Sequence, residues 1–148
     1  MNNKVDKNNL RTVAKPIPTP NTLTAPYWQA AQRSELHLQH CQECHHWIHP
    51  PQRCCPHCHT ANLLFETVSG LGKVESFSVI YRSFAEGFSE DLPYAIAWIE
   101  LVEQKGLRLF SNISGCPIED IYIGMPVNVF FEERSGFGKI PNFKKFSL

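Results

Sequence analysis

The chain carries no excess charge of either sign: 14 Lys and Arg stand against 14 Asp and Glu in 148 residues. A broad cationic surface of the kind that tracks a nucleic-acid backbone is therefore not indicated for the chain as a whole. No apolar run approaches the roughly twenty residues that a membrane-spanning helix needs. The first thirty residues also lack a basic-then-apolar stretch leading to a small-residue cleavage site. These absences lead us to expect a soluble, cytoplasmic protein with reduced thiols and no membrane partner. Phosphate-cradling glycine loops and nucleophile elbows are missing too, which argues against an enzyme in its own right. The acid pairs Glu90-Asp91 and Glu132-Glu133 are adjacent, and neighbours on a strand point to opposite faces. No catalytic residue is assigned.

What the chain does have is four cysteines in two knuckles, Cys41-Gln42-Glu43-Cys44 and Cys55-Pro56-His57-Cys58. Two Cys-x-x-Cys pairs this close together have the ligand spacing of a tetrahedral zinc ribbon, with iron as a substitute for zinc. Disulfides are the competing reading, and they need an oxidising compartment. A shell of four thiolates is closed to water and substrate, so the metal is expected to be structural. Cys54 leaves three residues before Cys58, so Cys55, which repeats the two-residue gap, is the better ligand. Cys116 reads as a small apolar residue. All seven histidines lie between His37 and His59, and we read them as surface or supporting groups rather than as a second metal site.

With 43% hydrophobic and 11% aromatic residues the chain can bury a real core. Residues 1–24 read as an extended or disordered tail, rich in Asn and carrying Pro16, Pro18 and Pro20. Residues 26–36 read as a helix with Pro26 in its first turn and Tyr27, Ala30, Ala31 and Ser34 on one face. Its aromatic side must pack on this chain or on a partner. Strands are expected over 63–68, 72–81, 94–102, 107–113 and 127–131, with a hairpin at 103–106 and one helical turn within 117–122. So many closely spaced strands imply a small barrel or sandwich. The run Tyr94-Ala-Ile-Ala-Trp-Ile99 alternates poorly, which suggests burial on both faces in an OB-type barrel.

Residues 70–148 hold eight basic and ten acidic residues, a net of −2, yet the last fifteen contain Arg134, Lys139, Lys144 and Lys145 with no acid. That tail could hold a phosphate, but the reading these residues favour is a solvated surface end that closes a sheet. Phe84 and Phe88, in the loop 83–91, mark a candidate binding loop.

The run Pro26-Tyr27-Trp28, Leu36, Cys41-x-x-Cys44, Pro50-Pro51-Gln52-Arg53-Cys54-Cys55-Pro56-x-Cys58, then Gly72-Lys73-Val74-Glu75-Ser76-Phe77, Pro93-Tyr94-Ala95-Ile96-Ala97, Ile123-Gly124-Met125-Pro126-Val127 and Ile140-Pro141-Asn142-Phe143 resembles the family called domain of unknown function 35. His45 and His59 depart from it, standing where Gly is usual after each knuckle, and Gln52 interrupts its Pro-Pro-Arg pattern. The resemblance implies a mainly β protein: an N-terminal helix (25–37), a rubredoxin-like zinc ribbon (38–62) and a five-stranded OB-fold barrel (63–148), with 1–24 outside. It also implies a non-catalytic, acyl-CoA-binding companion of a thiolase-like enzyme or a hot-dog hydratase, with a homodimer possible. On that reading Phe84, Phe88, Arg134, Phe137, Lys139, Lys144 and Lys145 are candidates for the ligand, and Tyr27, Trp28 and Trp47 for the partner. The alternative is a single-stranded nucleic-acid-binding OB-fold protein with Phe77, Tyr81 and Trp98 as its stacking platform. The net of −2 in this domain argues against it.

Overall fold

The first regular element, α1 (Ala25–Gln32), starts where Asn21 folds back on the chain. The Asn21 side-chain oxygen accepts the N–H groups of Leu23 and Thr24 at 3.0 and 2.9 Å, and Pro26 sits in the first turn, where its missing N–H costs nothing. The helix stops earlier than residue 36. Ser34 adopts φ +58°, and the N–H groups of Ser34 and Glu35 return to the carbonyls of Ala31 and Ala30 at 2.9 and 3.0 Å, a Schellman closure. Ala30 and Ala31 are fully buried, and their small side chains let the helix lie close to the sheet.

This computed structural model describes residues 14–82 and 84–147. The expectation of a disordered tail for residues 1–13 falls outside that range. Residues 14–20 have no regular secondary structure, as a segment with alternate prolines requires.

Beyond α1 come β1 (His37–Cys41), β2 (Trp47–Ile48) and β3 (Leu63–Thr67), which form one three-stranded antiparallel sheet in the order β2-β1-β3. The strand read at 63–68 as part of the barrel thus belongs to the ribbon sheet, where His37 to Cys41 pair with Thr67 to Leu63. Five further strands close the barrel: β4 (Leu71–Ile80), β5 (Tyr94–Leu101), β6 (Arg108–Ser114), β7 (Pro126–Arg134) and β8 (Gly138–Lys145), in the order β4-β5-β6-β8-β7. Only β6 and β8 run parallel, with Ile113 opposite Phe143; the other barrel pairs are antiparallel. This is the Greek-key barrel of an OB-fold.

The expected strand count was right, but the membership was not. The basic tail supplies the closing strand β8, in keeping with its reading as a surface end that closes a sheet, although the expected strands do not include it. At the parallel junction Ser111 Oγ donates to Asn142 Oδ1 at 3.1 Å and accepts the Phe143 N–H at 2.9 Å. Both polar side chains are buried, and this pairing satisfies them where a parallel ladder begins.

The barrel core holds Val74, Ala95, Ala97, Ile99, Leu109, Met125, Val127 and Phe143. Leu36, Leu38 and Val68 carry the base of the ribbon into the same cluster. On β5 burial does alternate: Ala95, Ala97 and Ile99 point inward, while Trp98 is 47% exposed. The double burial expected for 94–99 is not observed, because α1 packs on β8 and β1 instead. The turn expected within 117–122 is the short 3-10 segment Ile118–Asp120.

Candidate functional site

The sulfurs of Cys41, Cys44, Cys55 and Cys58 all lie within 4.8 Å of one another. Cys41 Sγ is 3.5 Å from Cys58 Sγ, and Cys44 Sγ is 3.6 Å from Cys55 Sγ. A tetrahedron with metal–sulfur bonds of about 2.3 Å sets its sulfurs about 3.8 Å apart, so the donor set fits a structural metal. The two knuckles repeat each other. His45 and His59 take φ +62° and +67°, and their N–H groups return to the carbonyls of Cys41 and Cys55 at 3.0 and 2.9 Å. Histidine therefore tolerates the left-handed position that glycine would fill more cheaply. The Cys44 N–H points at Cys41 Sγ, and those of His57 and Cys58 at Cys55 Sγ, at 3.3–3.5 Å. Such donors favour thiolate over thiol.

Cys41 and Cys44 do not titrate alike. Burial pushes the Cys41 thiol up, but the N–H groups of Cys44 and Glu43 and the neighbouring sulfurs outweigh it and bring it down to about 6. Burial drives Cys44 up to about 12. Once one thiolate forms among four crowded sulfurs, the next is costly unless a cation joins them. Cys54 lies outside the cluster and is exposed, and Cys116 is half-buried against the barrel core.

Apart from His49, which packs against Tyr27 with its Nδ1 buried, the histidines spread over the ribbon surface. His40 stacks on Trp47 at 4.2 Å between centroids and pairs with Glu66. His46 stacks on His57 at 5.2 Å, and His37 bonds Glu35 and Thr67. Among the described residues only the four cysteines form a metal-competent group.

The remaining candidates do not converge on one site. Tyr27 packs against the barrel core, and burial pushes its hydroxyl above the usual range. Trp28 sets its ring edge-on to Phe137 at 5.3 Å, and Trp47 packs between His40 and the core. Lys139 donates to Ser34 Oγ at 2.8 Å. Arg134 donates to the Pro16 carbonyl at 2.8 Å, and Phe88 lies under Lys15. Phe84 is 84% exposed, and Lys144 and Lys145 are also exposed. Of the stacking platform, Phe77 faces the core, Tyr81 is exposed, and Trp98 meets Phe110 edge-on at 5.2 Å on the outer face. The charges bordering that pair neutralise each other, Lys73 with Glu100 at 3.6 Å and Arg108 with Glu75 at 2.7 Å.

A sequence family described as "ChsH2, rubredoxin-like zinc ribbon domain" matches residues 28–63, and one described as "ChsH2, C-terminal OB-fold domain" matches residues 65–132. A solved chain of the "Ltp2-ChsH2(DUF35) aldolase" superposes with a TM-score of 0.78 at 33% identity, covering 87% of this chain and 98% of that one. The chain belongs to the DUF35 family. A DUF35 domain-containing scaffold protein of Methanocaldococcus jannaschii is 38% identical over 92 residues, 62% of this chain and 63% of that protein. The probable enoyl-CoA hydratase alpha subunit of Thermomonospora curvata is 34% identical over 130 residues, 88% of this chain and 40% of that protein. The chain thus spans less than two thirds of either curated relative.

Three glutamines that the sequence did not single out hold this DUF35 chain's parts together. Gln32 Oε1 accepts the Lys139 N–H at 2.9 Å and its Nε2 donates to the Lys139 carbonyl at 3.1 Å. Gln39 does the same to Gln52 at 2.7 and 2.8 Å, and Gln104 to Trp47 at 2.8 and 3.0 Å. Each amide imitates a strand partner, with one donor and one acceptor facing a single residue's main chain. They fasten α1 to β8, the ribbon loop to β1, and the β5–β6 hairpin to the ribbon. No spacing rule announces such a contact, because its partner lies up to 107 residues away.

Proposed function

We propose that the chain is a non-catalytic accessory subunit that binds acyl-CoA and seats a thiolase-like or hot-dog hydratase enzyme, in lipid, steroid or polyketide-type acyl-CoA metabolism. The observation that carries the reading is the match, over 98% of its length, to a DUF35 chain whose name pairs it with Ltp2 as an aldolase. The hydratase-subunit and scaffold names of the curated relatives point the same way. The four cysteines would hold zinc, with iron as a substitute, and the ion would supply a cross-link in a closed shell with no position left for substrate. Phe84, Lys144 and Lys145 are the ligand contacts best placed to act, since they are exposed; ammonium groups suit the phosphates of CoA. Phe88 and Arg134, held against residues 15 and 16, and Phe137 and Lys139, held against α1, would contribute only indirectly. Tyr27, Trp28 and Trp47 would shape the partner's seat from within.

Affinity purification from the native host followed by mass spectrometry should recover a thiolase-like or hydratase protein. Calorimetry with hexanoyl-CoA should show saturable heat that weakens when Lys144 and Lys145 are both replaced by alanine. Recovery of the chain alone, together with no heat from any acyl-CoA tried, would overturn the reading.

A further inference from the structure

A pocket of about 200 Å³ opens between the β4–β5 loop and the β7–β8 hairpin, walled by Phe88, Asp91, Tyr94, Asn112, Phe130 and Glu132. Lys15, from the chain's own N-terminal arm, completes its lining. Three separate features accommodate it. The ammonium lies 2.6 Å from Asp91 Oδ2 and 4.6 Å from the centre of the Phe88 ring, an acidic and aromatic socket for a cation. Arg134, braced 3.6 Å from Glu132, donates to the Pro16 carbonyl at 2.8 Å. Gly87, at φ +80°, leaves room for the arm's backbone: a Cβ there would lie 2.6 Å from the Lys15 nitrogen. A lysine followed by proline uses all three, because the ammonium needs the socket, the free carbonyl needs the guanidinium, and the main chain needs the missing side chain.

The arm is nonetheless lightly held. Ile17, its large apolar side chain, is 50% exposed, so that side chain is not an anchor sunk into the barrel. Pro16, Pro18 and Pro20 keep the segment extended when free, so little conformational freedom is lost on docking or regained on leaving.

We propose that residues 15–20 are a releasable internal ligand: a strap that fills, in cis, a groove built for a lysine–proline segment and covers the pocket beneath until it is displaced. The assignment rests on the groove's own geometry and stands whether or not the chain binds acyl-CoA.

The test uses the full chain and a fluorescent peptide of residues 14–22. In Lys15→Glu the arm's new carboxylate faces Asp91, and the groove should open. The peptide should bind this variant saturably in anisotropy and bind the wild-type chain about ten-fold more weakly, as expected when a tethered competitor is present on the order of millimolar effective concentration. Adding Asp91→Asn to the variant should weaken the peptide about five-fold, and a peptide carrying Lys15→Glu should not bind. Circular dichroism spectra matching wild type would show that each variant is folded. Failure of the peptide to bind the folded Lys15→Glu chain would overturn the proposal, as would equal binding to wild type. A wild-type dimer that becomes monomeric in Lys15→Glu would assign the groove's occupant to a second copy and equally overturn the strap.

Discussion

Stripping the metal from reduced protein should melt the knuckle half of the ribbon and leave the barrel folded. The two parts rest on separate cores. The knuckles bury only Cys41, Ile48 and Cys55, with Cys44 and Leu63 partly covered, so a single aliphatic side chain is sunk there, worth about 1.5–3 kcal/mol. A structural zinc site in a small domain contributes on the order of 10–16 kcal/mol, several times more, and an ion held by these cysteines would link Cys41 to Cys58 across a segment whose strand β2 is only two residues long. Leu36, Leu38 and Val68, in contrast, are buried in the barrel cluster and should not follow. Hydrogen exchange read by mass spectrometry, with and without a chelator, is the assay. Peptides within 41–63 should lose protection, while those from β5, β6 and β8 keep theirs. Cys55→Ser should reproduce the chelated pattern, and Cys54→Ser should not. Elemental analysis showing the metal gone while 41–63 stays protected would refute the reasoning, and so would loss of protection across the barrel.

Two further outcomes follow from burial. Phe143, 1% exposed beside the parallel β6–β8 junction, should cost about 3–5 kcal/mol when changed to alanine, read as a lower midpoint in chemical denaturation; a change under about 1 kcal/mol would mean the barrel closes without it. His49 is held neutral by burial, its pKa lowered to about 4, and its Nδ1 has no hydrogen-bond partner among the described residues. The unfolded chain takes up the proton near pH 6.5 and the folded chain only near 4, so this contribution to stability is fully present above about pH 6.5 and is lost as the pH falls toward 4, by up to roughly 3 kcal/mol. Denaturation midpoints of wild type and His49→Gln compared across that window isolate the effect from acid release of the metal; parallel curves would show that His49 does not carry it.

Much of the site was legible because its signals are local. Two-residue gaps between cysteines, a proline opening a helix and a glycine in a four-residue hairpin each act within a few residues, so the metal shell, the start of α1 and the β5–β6 turn could be read in order along the chain. Where Ser34 ends the helix was less visible, since serine seldom takes a left-handed conformation unaided. The strand at Leu63–Thr67 looked like barrel because residue type says how a segment pairs but not with which neighbour. Trp98 looked buried because its own strand cannot report whether a helix covers it.

By itself, the order of residues determined that four sulfurs would meet and that a mainly β protein would follow, since short loops leave few other arrangements. Only the tertiary structure decided that the basic tail pairs with β6 and β7, that three glutamines fasten the parts, and that the arm returns to Asp91 and Arg134. The longest of those contacts join residues more than a hundred positions apart, and their pairing is selected by the shape of the whole barrel rather than by the composition of either segment.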